Sequence, residues 1–237
     1  MNEYSQDLWR KDRDHFIHPY TNFQKFKTEG ALVFSEGKDH FIYDADGRRY
    51  LDGMAGLWCV NIGHGRKDIA QAIAEQSSKL AYYNTFEDST SPPAAELASE
   101  LARISPGSLN HVFFGTGGSM ANDTAIKIIH YYFNQLGLPN KKKVISRELA
   151  YHGSTYLAHT LTGIASTHIG FDLAPDLVHY VSAPYPYRRP EGMSLEAFCD
   201  FLIQELEDKI LELGPENVAC FIAEPILGAG PPKTIRY

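Results

Sequence analysis

Five consecutive residues, Gly115-Thr116-Gly117-Gly118-Ser119, are the stretch of this chain best suited to hold an anion. They follow the apolar run His111-Val112-Phe113-Phe114 and precede apolar residues at Ala125, Ile128, Ile129, Tyr132 and Phe133. The latter spacing is one face of a helix, and the run before the turn reads as a short buried strand. A strand, a glycine turn and a helix start together present free backbone N–H groups and the positive end of a helix dipole. Glycines allow close approach of the backbone, and Ser119 adds a hydroxyl donor. The implied chemistry is the binding of a phosphate. From the turn alone, a tight βα connection without any ligand is an equally open reading.

Two common phosphate owners fit badly. A dinucleotide fingerprint needs a third glycine, and the chain has Met120 there. A Walker A loop needs Gly-Lys-Ser/Thr, and Gly118 is followed directly by Ser119. Two other groups add to the picture. Tyr151-His152-Gly153 lies a few residues beyond Val144-Ile145-Ser146, and Glu224-Pro225 follows Cys220-Phe221-Ile222. An aromatic residue near an anion site suits a planar cofactor ring, through offset stacking. The run from Leu51 to Gly65 mixes glycines with Trp58 and suits a pocket-lining loop.

The elements that must position these residues alternate. Strands are predicted at 111–114, 143–146, 177–181 and 218–222, and helices at about 121–135, 153–161 and 194–213. Such alternation implies a parallel sheet flanked by helices, with ligands at the carboxyl ends of the strands. Before it, short strands are predicted at 31–34, 41–43 and 49–51, with Asp44-Ala45-Asp46-Gly47 as a hairpin turn. A helix is predicted from Arg66. Another starts at Ser91-Pro92-Pro93 and stops at Ser105-Pro106-Gly107. Residues 1–30 show no clear period.

Bulk properties exclude several classes. With 22 basic against 29 acidic residues the net charge is −7, which argues against nucleic acid or an anionic membrane as partner. No run approaches the ~18 apolar residues of a membrane span. Cys59, Cys199 and Cys220 are odd in number and far apart in apolar surroundings. They read as core residues of a reducing compartment, not as a disulfide framework. The ten histidines form no metal-binding pattern, so no metal site is expected. The N-terminus is polar and charged, and the expected location is the cytoplasm.

The chain resembles the N-terminal portion of the class III aminotransferases, the omega-amino-acid/diamine:pyruvate transaminase group. The resemblance is collinear from about residue 8 to 230. It is carried by Asp52-Gly53-Met54-Ala55-Gly56-Leu57-Trp58-Cys59-Val60-Asn61, by the run from Phe113 to Lys127, by Tyr151-His152-Gly153 and by Ala223-Glu224-Pro225. It implies an α/β chain of the pyridoxal-phosphate-dependent transferase fold type I, with an incomplete parallel sheet. Residues 1–65 would contribute to a small domain and the pocket, and 66–237 would form the large cofactor-binding domain.

The implied cofactor is pyridoxal 5′-phosphate. Gly118 and Ser119 would hold its phosphate, and Tyr151 would cover one ring face with His152 close by. Glu224 would sit beneath the ring near the phenolic oxygen. Leu57 and Trp58, with Tyr20 or Phe23 beside them, would line the pocket for the amino donor. Each residue also has a plain structural alternative: core packing for Trp58, burial for Tyr151, support for His152, strand termination for Glu224. The implied partners are an amine donor, a 2-oxo acid acceptor and a second copy of the chain in a homodimer.

The chain departs from the family pattern at Thr116, Gly117 and Met120, which stand where serine, asparagine and glutamate are usual. The family's cofactor-linked lysine and its pyridine-nitrogen aspartate have no counterpart in this chain, so no catalytic residue is assigned. The run from Pro231 to Tyr237 leaves the pattern. The expectation is an inactive fragment with an apolar sheet edge exposed to other chains. A racemase or aminomutase of the same fold, a non-catalytic partner of an intact relative and a nucleotide-binding module are the alternatives.

Overall fold

A computed structural model describes residues 2–229. The run from Pro231 to Tyr237 lies outside the described residues. The chain forms two compact units that part between Leu97 and Ala98. The division falls later than the expected boundary at residue 65. His64 is the reason for part of the shift, because its backbone pairs with Asp39 and ties the chain back to the first unit.

The first unit opens with α1 (Glu3–His15) and α2 (Phe23–Glu29), where the sequence shows no clear period. Both are specified by caps. The Asn2 side chain accepts from Ser5 N–H, and the Asn22 side chain accepts from Gln24 and Lys25 N–H. Next come β1 (Phe34–Lys38), β2 (Phe41–Asp44) and β3 (Arg49–Leu51), an antiparallel meander. The first strand begins where the expected 31–34 segment ends. The Asp44–Gly47 turn is present, and Asp44 is the buried hub inside it. Its carboxylate accepts from Arg48 Nε at 2.7 Å and from the Tyr50 hydroxyl at 2.9 Å. Burial pushes this carboxyl up, but its hydrogen bonds together hold it below the usual range.

A short helical turn, α3 (Ala55–Trp58), follows, then α4 (Lys67–Lys79). The α3 turn is left-handed: φ is 47° at Ala55, 58° at Gly56, 63° at Leu57 and 64° at Trp58. Left-handed helical backbone costs L-residues roughly 1–2 kcal/mol each. Sequence patterns carry no signal for it, because its side chains have no right-handed period. Helix α5 (Pro92–Ile104) crosses the division between the units.

The second unit contains α6 (Gly118–Gln135), β4 (Lys143–Arg147), α7 (Tyr156–Leu161), α8 (Ala165–His168), β5 (Val178–Val181), α9 (Leu195–Leu213) and β6 (Val218–Phe221). The strands form a parallel sheet in the order β5-β4-β6. Its central strand is buried on both faces, as parallel strands are. Val144 packs with Ile126, Leu161 and Val178 on the side of α6 and α7. Ile145 packs with Val181 and Val218 against Leu206, Ile210 and Leu213 of α9. The chain is therefore α/β, with helices on both faces of a parallel sheet.

Three expectations need correction. Residues 111–114 are not a strand. A strand needs a hydrogen-bonded neighbour, and among the described residues none pairs with this run, leaving Phe113 63% exposed. The helix expected at 153–161 begins at Tyr156, because residues 151–154 are committed to bonds with α6 and Glu224. Finally, Cys59 and Cys199 are exposed and only Cys220 is partly buried, so they are not a set of core residues. Their apolar neighbours in sequence lie on the other face of the turn or helix.

Candidate functional site

The α6 start has the donors that an anion needs. Its first intrahelical bond runs from Ala121 N–H to the Gly117 carbonyl, at 3.0 Å. The N–H groups of Gly118, Ser119 and Met120 precede it and have no intrahelical acceptor, and no side chain caps the turn. Ser119 is held from behind. Its Oγ accepts from Ser154 N–H at 3.0 Å, so its own hydroxyl hydrogen remains free to donate elsewhere. The Thr116 hydroxyl donates to the Met120 sulfur at 3.4 Å, which folds the thioether back over the turn.

Gly153 makes this geometry possible. Its φ is +135°, and a Cβ there would stand 2.4 Å from Ser119 Oγ and 2.9 Å from Ser119 Cα. The β4–α7 connection can therefore lie against the α6 start only with glycine at this place. Asn122 adds a second tie, donating from Nδ2 to the His152 carbonyl at 2.7 Å. Asp123 adds a third, accepting from Ala158 N–H at 2.9 Å.

The end of β6 joins from the other side. One Glu224 oxygen accepts from Tyr151 N–H at 2.6 Å, and the other accepts from Gly228 N–H at 2.6 Å. The Glu224 carbonyl accepts from the Arg147 guanidinium. Arg147 and Glu224 thus stitch the ends of β4 and β6 together. The Tyr151 backbone is fixed, while its side chain remains 41% exposed with a ring face open to a ligand.

His152 is buried, and its backbone N–H donates to Thr162 Oγ1 at 2.9 Å. Its Nε2 is buried without a hydrogen-bond partner among the described residues. Burial pushes this imidazole below its ordinary range, with Glu224 opposing and Arg147 adding to the shift. His179 on β5 is pushed down by burial, then by Lys143. An imidazole kept neutral by burial binds fewer protons in the folded chain than in the unfolded one. Stability must therefore rise with pH until the ordinary value of 6.5 is passed, and must fall as pH drops below it. Urea midpoints of the parent at pH 7.5 and 5.5 should show this loss, and His152→Gln/His179→Gln should show a smaller one. An equal pH slope in both proteins would refute the assignment.

The structure thus gathers Gly118, Ser119, Tyr151, His152 and Glu224 in one place in the second unit. Leu57 and Trp58 belong to the first unit, in the left-handed turn, 60% and 59% exposed. Tyr20 and Phe23 also lie in the first unit and are exposed. The contributions of Gly153, Ser154, Asn122 and Arg147 were not assigned from sequence. For Gly153 a signal existed, a glycine straight after Tyr-His. The Ser154 N–H and the Arg147 contact involve backbone groups, which sequence does not mark.

Two clefts in this unit, of about 340 and 370 Å³, open elsewhere, on either side of Glu148 and Leu149. They contain none of the gathered residues and carry less convergent chemistry. Among the described residues no group of three or more His, Cys, Asp or Glu could hold a metal ion. No helix among them is long and apolar enough to cross a membrane.

The donor set suits a phosphomonoester beside a flat ring: three unpaired amides, one oriented hydroxyl, a glycine contact and an open aromatic face. Comparison with known proteins agrees. The family model described as "Aminotransferase class-III" matches residues 24–232. A putrescine–pyruvate aminotransferase from Pseudomonas aeruginosa is 43% identical over 227 residues, covering 94% of this chain and 50% of the relative. An (S)-enantioselective omega-transaminase from Thermomicrobium roseum superposes with a TM-score of 0.92 at 45% identity, over 94% of this chain and 50% of that one. An omega-transaminase from Pseudomonas jessenii, solved in complex with PMP, gives 0.92 at 40% identity, over 96% and 51%. The chain spans about half the length of the curated relatives it matches.

Proposed function

Since the chain belongs to the class III aminotransferase family, we propose that its second unit is the phosphate- and ring-binding part of a pyridoxal 5′-phosphate site. The reaction served is transfer of an amino group from a primary amine or omega-amino acid to pyruvate or another 2-oxo acid. The observation that carries the reading is the Ser119 hydroxyl, held at the mouth of three unpaired amides by Ser154 N–H.

Gly118 and Ser119 hold the phosphate through their amides and the Ser119 hydroxyl. The Tyr151 ring covers one face of the cofactor ring. Glu224 fixes the Tyr151 backbone, and His152 packs behind it as a neutral support. When bound, the cofactor supplies the electron sink and carries the amino group between the two substrates. Leu57 and Trp58 contact the apolar chain of the amine donor. No lysine of this chain is assigned as a proton carrier, so its own residues account for binding and not for turnover. Homodimeric assembly and a cytoplasmic location complete the reading. Both are supported by the family resemblance, and the second also by the absence of a spanning helix among the described residues.

Pyridoxamine 5′-phosphate is the probe of choice, because it has no aldehyde to react with surface lysines. The 237-residue chain should bind it, with inorganic phosphate competing. Loss of one hydrogen bond of about 1–1.5 kcal/mol should make Ser119→Ala bind roughly tenfold more weakly. A parent chain without affinity for the probe, or a Ser119→Ala variant indistinguishable from it, would contradict the proposal.

A further inference from the structure

The left-handed turn at Ala55–Trp58 is built at a conformational cost, and no burial of its own side chains offsets it. Leu57 and Trp58, its two largest side chains, are 60% and 59% exposed. What holds the turn is polar. Within it, Trp58 N–H donates to the Met54 carbonyl at 2.8 Å and Cys59 N–H to the Ala55 carbonyl at 2.9 Å. At its start, Asp52 Oδ2 accepts from Gly56 N–H at 2.9 Å. The same oxygen lies 2.9 Å from His64 Nε2, and the Asp52 side chain is only 8% exposed.

His64 is itself immobilised. Its N–H donates to the Asp39 carbonyl at 2.7 Å, and its carbonyl accepts from Asp39 N–H at 3.0 Å. Its ring lies against Gly37 so closely that a Cβ there would stand 2.7 Å away. A chain of contacts therefore runs from the β1–β2 hairpin through His64 to Asp52 and on to the turn. A strained segment that displays two large apolar side chains, and is pinned by one nearly buried carboxylate, is the arrangement expected of a presented surface. It is not the arrangement of a packed core.

We propose that Asp52 is a positioning residue. It holds the left-handed turn, and through it the placement of Leu57 and Trp58, and His64 orients Asp52. The inference deepens the proposed function and rests on the assignment of Leu57 and Trp58 to the amine donor.

Amide hydrogen exchange on the full chain tests it, together with the near-ultraviolet dichroism of Trp58 in a Trp9→Phe background, where Trp58 is the remaining tryptophan. Asp52→Ala should speed exchange at Trp58, Cys59 and Val60 by at least roughly tenfold, leave the β2–β3 amides unchanged and alter the Trp58 signal. Asp52→Asn, which keeps an acceptor for Gly56 N–H, should fall between. Adding Ala55→Gly removes a Cβ from the turn and should recover part of the protection. Unchanged amides and an unchanged Trp58 signal overturn the proposal. So does an acceleration spread evenly over β1–β3, which would make Asp52 merely structural. Lack of pyridoxamine 5′-phosphate binding by the parent chain strikes the functional reading alone, and the exchange data judge the clamp in either case.

Discussion

Replacing Gly153 by alanine is expected to weaken pyridoxamine 5′-phosphate binding by at least roughly 100-fold, about 2.7 kcal/mol. The backbone there has φ +135°, a region that L-residues enter at a cost of order 1–3 kcal/mol. The added methyl would also stand 2.4 Å from Ser119 Oγ, 2.8 Å from the Ala158 Cβ and 2.9 Å from Ser119 Cα. Rotating the serine side chain relieves only the first contact. The other two require the α6 start and the β4–α7 connection to separate, which releases Ser119 from Ser154 N–H and spoils the donor set. Gly117→Ala is the comparison. Gly117 has extended backbone, with φ 176°, and a Cβ there meets nothing within 4 Å. A change of no more than about threefold is expected for it, on open space and permitted backbone alone. Titration of both variants decides the matter: equal losses, or an undiminished affinity in Gly153→Ala, would sink the cradle.

The second large effect is expected at Glu224. Its two carboxylate oxygens each serve one backbone N–H, of Tyr151 and of Gly228, at 2.6 Å. Hydrogen bonds to a charged group contribute about 1.5–3 kcal/mol each, less where water can take over, as it can at this half-buried position. Glu224→Ala should therefore free the Tyr151 backbone and weaken the probe by roughly 30-fold, near 2 kcal/mol. Glu224→Gln keeps one acceptor but turns an NH₂ group toward the other N–H, so an intermediate loss is expected. Tyr151→Phe keeps the stacking face and the backbone bond and should bind within about threefold of the parent, as ring stacking requires no hydroxyl. Fluorescence titration of the three variants checks the order. If Glu224→Ala binds like the parent, the carboxylate does not position Tyr151.

Much of this site was legible before any coordinates. The turn at Gly115–Ser119 announced itself by glycine content and by the helical period that follows, both local properties. Val144, Ile145 and Ser146 read as a buried strand because a parallel strand covered on both faces is a continuous apolar run, and all three are fully buried. The Asp44–Gly47 hairpin was legible from turn chemistry alone. Helices α1 and α2 were not, because their signals are the capping residues Asn2 and Asn22 and not an apolar stripe. The run at 111–114 misled because an apolar extended segment becomes a strand only when another strand lies beside it.

What the sequence determined by itself, then, is whatever depends on neighbours along the chain: periods, turns, caps and the order of motifs that marks the family. Tertiary structure decided what depends on neighbours in space. It brought Glu224 onto Tyr151 across 73 residues, set Gly153 against Ser119 and pinned a left-handed turn with Asp52. The physical reason is that these bonds end on backbone amides, which every residue carries and which no side-chain pattern can mark.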